Sequence, residues 1–150
     1  MAKSYTTITA LAVTNLANLA DQAYWVSPDV DNDTELAHEI EMFLQILTTT
    51  TAGSDGNIKI YIAGSTDDGT DYAGGITSES DATYTPVGDD VSHWDWLGSI
   101  IYTAETTVRT MKKRFNLIDV PKNFKYVVFN NTGTALGATV SLEQNAIKQG

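Results

Sequence analysis

Apolar and polar residues alternate at a period of two over much of this chain, most clearly from Leu36 to Gly64. In the first arm of that stretch Leu36, Ile40, Met42, Leu44 and Ile46 fall on one face, while Ala37, Glu39, Glu41, Phe43 and Gln45 fall on the other. Four threonines (Thr48–Thr51) and a turn segment, Ala52–Gly56, follow. In the second arm, Asn57–Ala63, residues Ile58, Ile60 and Ile62 alternate with Asn57, Lys59, Tyr61 and Ala63. The pattern predicts a long central β-hairpin. Leu36, Ile40, Leu44 and Leu47 also fit helical spacing, with Asp31-Asn32-Asp33-Thr34 placed to cap a helix. The strand reading is preferred because the arm ends in β-branched threonines and the next apolar run is too short for a helix.

Five further strands are expected. Ala23–Ser27 is ended by Pro28, and His93–Thr103 sets Trp94, Trp96, Gly98, Ile100 and Tyr102 on one face. Thr106–Leu117 alternates Met111, Phe115 and Leu117 with the polar set Thr110, Lys112, Arg114 and Asn116. Phe124–Asn130 has the near-continuous apolar centre of a buried strand, and Ala138–Ile147 closes the domain with Val140 and Leu142. Ser65–Ser92 reads as a long polar loop with a strong turn at Asp67–Tyr72 and a brief strand at Ala82–Pro86. Ser4–Asn18 is apolar but irregularly spaced. It reads either as an edge strand or as an extended arm covering a neighbouring surface through Tyr5, Ile8, Leu11, Val13 and Leu16. The expected fold is all-β, a jelly-roll-like two-sheet sandwich of about eight strands with an extended N-terminal arm. The arm is drawn over residues 1–20 and the single domain over 21–150.

Charge adds a direction to this picture. The formal net charge is −10, yet residues 21–95 hold sixteen acidic side chains and one basic one, while six of the nine positive charges lie between Arg109 and Lys125. So acidic a chain is expected to avoid free nucleic acid and anionic membranes. The sign asymmetry suits a basic strip, with Arg109, Lys112, Lys113 and Arg114 at its centre, that meets an acidic partner. The opening residues carry no leader-like apolar run, and no apolar run reaches membrane-spanning length. With no cysteine, disulfides and thiolate metal sites are excluded.

No motif points to catalysis or a cofactor. Asp29-Val30-Asp31-Asn32-Asp33 opens like an EF-hand loop, but Thr34 stands where the turn glycine belongs and Ile40 where the bidentate glutamate belongs. Asp67, Asp68, Asp71, Asp89 and Asp90 have no ligand spacing, and His38 and His93 lack partner motifs. There is no G-x-S-x-G, no phosphate loop and no dinucleotide fingerprint. A non-enzymatic role without cofactor or metal is expected.

Three segments carry a resemblance: Ile58–Thr85, Trp96–Leu117 and Phe124–Thr139. Within them lie an S-x-D-G-x-x-Y-like turn (Ser65–Tyr72, with one extra residue), an L-G-x-I strand (Leu97–Ile100) and V-V-x-N-x-T-G-x-A-L (Val127–Leu136). In these the chain resembles small virion structural proteins of tailed bacteriophages; its N-terminal forty residues do not match. The resemblance implies a β-sandwich that decorates or cements a capsid exterior. Its expected partners are the major capsid protein and further copies of itself, as a dimer or trimer, without nucleic acid or membrane. Such a protein would be made in the host bacterial cytoplasm. A tail, collar or fibre component is the alternative.

Overall fold

In a computed structural model of the chain, residues 3–5, 9–33, 36–47, 56–65, 67–102, 108 and 110–149 are described. Among them eleven strands form two antiparallel sheets. In the first sheet β1 (Lys3–Tyr5) and β2 (Thr9–Leu11) lie along one edge of β11 (Val140–Gln149). Beyond β11 come β5 (Glu39–Leu47) and β9 (Thr110–Ile118). The second sheet orders β7 (Ala82–Tyr84), β3 (Tyr24–Val26), β10 (Asn123–Asn131), β6 (Gly56–Gly64) and β8 (Asp95–Tyr102), with β4 (Val30–Asp31) also on β10. Four pairs, β2 with β11, β3 with β10, β5 with β9 and β6 with β8, run inward along the chain like one long folded hairpin. That is the jelly-roll order.

The strand pattern of Leu36–Gly64 is present, but the predicted hairpin is not. β5 pairs with β11 and β9, and β6 pairs with β10 and β8, so the two arms lie in opposite sheets. Their connection, residues 48–55, is longer than the two to about five residues that favour a hairpin. Crossing the sandwich lets the two apolar faces, Ile40, Met42, Leu44 and Ile46 on one side and Ile58, Ile60 and Ile62 on the other, close over one core. Each such side chain contributes about 1.5–3 kcal/mol on burial. Leu36, predicted to start that face, sits before the strand at φ 48° and is exposed. The Thr48–Thr51 run lies outside the described residues.

The described parts of the N-terminal segment lie along their own domain, as two short strands and a turn. β1 and β2 pair with β11, and Leu16 and Leu19 are buried in the central core, with Leu11 and Val13 packed against it. The boundary drawn at residue 20 therefore separates nothing: the same core runs across it.

A second apolar cluster explains the near-continuous hydrophobicity of β10. Tyr126 and Val128 face the core, whereas Val127 faces outward and is covered, with Val26 and Ala63, by Tyr72, Ile76 and Trp94. The Ser65–Ser92 segment, expected as a polar loop, is thus a layer over the outer face of the second sheet. It is pinned by two short 3₁₀ turns, Ala73–Gly75 and Asp90–His93. Gly74, at φ 72°, is needed there because a Cβ would collide with the Trp94 indole and the Asp90 carbonyl.

The two tryptophans predicted to share a face both lie on the outer side of the second sheet but differ in burial. Trp94 precedes β8 and belongs to the outer layer, within 6.0 Å of the rings of Tyr24, Tyr61 and Tyr84. Trp96 lies on β8 and is 67% exposed. A bulge opposite Ile60 and Tyr61, with Leu97 as the extra residue, resets the alternation, so that Leu97 packs on the core and Ile101 is left outside.

Candidate partner-binding surface

Among the described residues, those predicted to meet a partner do not form one surface. Tyr5 lies in β1, and Leu11, Val13 and Leu16 are spent on the chain's own core, which removes them as a free docking arm. Ile8 and Arg109 lie outside the described residues. Lys112, Lys113 and Arg114 are exposed together on β9.

The basic strip also splits. Lys122 is turned back onto the protein, 2.8 Å from Asp68 and 3.4 Å from Asp33, and the hydrogen bond to Asp68 followed by the charge of Asp33 raises its pKa. Lys125 is only 3% exposed. Its ammonium lies under the outer layer, donating to the Glu79 carbonyl at 2.5 Å and sitting 4.7 Å from the centre of the Tyr72 ring. Burial lowers its pKa, against the opposing pull of Asp29 and Glu79. Charge counted along the chain therefore overstates the strip, because it ignores which face each side chain takes. Lys125 shares the outward face of β10 with Val127, and that face is covered.

What remains is one side of the sandwich. β8 and β9 are the terminal strands of their sheets, and Lys113 Nζ joins them by donating to the Ser99 carbonyl at 2.7 Å. Between them runs an open groove of about 480 Å³ lined by Ile100, Ile101 and Met111 and bordered by Thr110, Lys112 and Lys113. Ile101 is 73% exposed. Lys112 and Arg114 project from the outer face of β9. Lys112 lies 5.9 Å from the Phe43 ring centre, and Arg114 is 3.2 Å from Glu41. Both ends of the Arg114–Glu41 pair touch water, so the pair is worth under about 1 kcal/mol and leaves guanidinium donors unused.

The acidic residues behave differently. Asp81 accepts the amides of Thr14 and Asn15, each at 3.0 Å, and the Trp25 indole N–H at 2.9 Å. Asp29 accepts the Tyr72 hydroxyl at 2.5 Å, and Asp67 accepts the Asp71 amide at 2.7 Å. No group of three or more potential metal ligands occurs among the described residues, and no helix there is long and apolar enough to cross a membrane. His93 is exposed, 3.8 Å from Asp89.

The Ser65–Tyr72 turn, the Leu97–Ile100 strand and the Val127–Leu136 stretch are building devices. Ser65 Oγ accepts the Gly69 amide at 2.8 Å and donates to the Asp71 carbonyl at 2.9 Å, closing the turn that ends at Tyr72. Gly98 lies against the Phe115 ring, which a Cβ would meet at 2.8 Å. Asn130 is buried, and its amide reaches the carbonyls of Leu19, Ala20 and Thr134, tying the N-terminal segment to the final turn. No protein-family model matches the chain, and no curated protein sequence matches it either.

Proposed function

We propose that this protein is a non-enzymatic structural component of a tailed-bacteriophage virion, a decoration protein that binds the assembled head from outside and stabilises it. The observation that carries the reading is the long basic edge left open on an otherwise acidic jelly roll. A cement protein needs a rigid body and one adhesive border, and it stabilises a lattice simply by binding it more tightly than its free subunits. The turn and strand motifs shared with small virion proteins support the same reading, because each builds this fold. Two or three copies meeting around a lattice symmetry axis would present several such edges at once.

Adding the purified protein to heads that lack it, then imaging and heating them, tests the proposal. Regular density on the head surface and a higher temperature of DNA release are expected. Density confined to tail, collar or fibres, or none at all, would overturn it.

A further inference from the structure

We infer that the β9 edge binds its partner by strand addition, and that the segment it takes is an extended one alternating carboxylate and apolar side chains. The inference rests on the decoration reading for the partner's identity, but not for its chemistry. An edge strand presents a row of unpaired N–H and C=O groups to any strand laid beside it. β9 offers nine residues of such edge, with β5 as its one strand partner among the described residues.

The side chains then set the sequence that fits. Lys112 and Arg114 are two apart and share the outer face, so carboxylates two apart on an added strand would lie beside both. The intervening residues of that strand point the other way, toward the groove lined by Ile100, Ile101 and Met111. Lys113 spans the groove mouth and keeps its ammonium at the rim, where it favours a carboxylate over a cation. A second copy of β9 is the wrong occupant. An antiparallel register centred on Lys113 sets Lys112, Lys113 and Arg114 against the same three residues of the other chain, and like charges facing across strands are destabilising.

The test is a synthetic peptide of alternating glutamate and valine, as long as the nine residues of β9. Amide hydrogen exchange of the full-length protein is followed with and without it. Protection confined to Thr110–Ile118 and the facing β8 is expected. Affinity should fall about tenfold or more in the pair Lys112→Glu/Arg114→Glu, and by a smaller factor in Lys112→Gln/Arg114→Gln, which avoids repulsion with Glu41. Raising salt from about 0.1 to about 1 M, where screening shortens from ~10 to ~3 Å, should weaken it too. Equal binding of an alternating lysine–valine peptide or of single-stranded DNA, protection elsewhere, or full affinity in both charge variants would overturn the inference. Heads separate the two proposals. If the wild-type protein and both variants decorate heads alike, the strand-addition site is wrong and the decoration reading stands. If the peptide result holds but no head is bound, the reverse is true.

Discussion

On the covered side of the sandwich, carboxylates are fastened to their own chain: Asp81 to Thr14, Asn15 and Trp25, Asp29 to Tyr72, Asp90 to the Val87 amide at 2.6 Å. On the open side, Lys112 and Arg114 stand in solvent, each with one weak contact among the described residues. Total charge would give the acidic half the greater claim to a partner, because it is larger. Charge alone does not rank the two sides. Asp29, Asp81 and Asp90 are engaged within their own chain around the added layer, whereas Lys112 and Arg114 stand exposed on a terminal strand. The contrast makes a sharp demand: changes on the covered side should cost stability, and changes on the open side should cost only binding.

The largest effect should come from Trp94→Ala. It empties the centre of the outer cluster and removes the indole donor to the Ala73 carbonyl, so a loss of about 3–5 kcal/mol is expected by chemical denaturation. A change below about 1 kcal/mol would mean that the Ser65–Trp94 layer is not truly packed, and the contrast between the two sides would collapse. Asp81→Ala comes next. It strips the acceptor from two backbone amides and the Trp25 indole, for about 2–3 kcal/mol, and Asp81→Asn should recover part of that. Faster hydrogen exchange at Thr14 and Asn15 would tie the loss to the N-terminal segment rather than to a general loosening.

The same layer shows what could and could not be seen beforehand. Period-two alternation located β5, β6 and β9, since a half-buried strand leaves that mark directly in sequence, and a near-continuous apolar run located β10. It could not say which sheet each strand joins, because Ile40–Ile46 and Ile58–Ile62 look alike whether they lie side by side or face each other. Nor could it reveal the bulge at Leu97, where one inserted residue reverses every later assignment on β8. The outer layer was hidden by its composition: a few residues, Tyr72, Ile76 and Trp94, close it, while the polar majority serve turns and hydrogen bonds. In hindsight the one signal was β10 itself. A strand apolar on both faces must be covered on both, and Ser65–Ser92 was the longest stretch read as loop.

Alkaline titration should read the covered side together with the core phenol of Tyr126, whose pKa burial also raises. Burial, then the hydrogen bond to Asp90 and its charge, push the Tyr84 phenol up to about 12 from its ordinary 10.0. Tyr72 is raised by burial first and then by its bond to Asp29. Both favour the protonated phenol in the folded state, so their contribution is complete below pH 10 and is lost as pH rises through the folded values. Lys125 acts in the opposite sense. Its lowered pKa means the unfolded chain holds more protons just below 10.5, so its term improves toward 10.5 and is flat above it. The denaturation midpoint should therefore drop steeply only above about pH 10, and Tyr84→Phe should make that drop shallower. An unchanged slope in Tyr84→Phe would show that the layer does not shield this phenol.

The smallest expected effect decides the other half of the comparison. Lys112→Gln with Arg114→Gln removes one solvent-exposed ion pair and one long cation–ring contact, so stability should move by no more than about 0.5 kcal/mol in either direction. A destabilisation of about 2 kcal/mol would place these residues with Asp81, as parts of the fold, and would strip the open edge of its claim to be spare. A small stabilisation is the more telling result. Two neighbouring cations on one strand face repel each other, so a gain on removing them would show that they cost the fold stability, as the proposed binding edge requires.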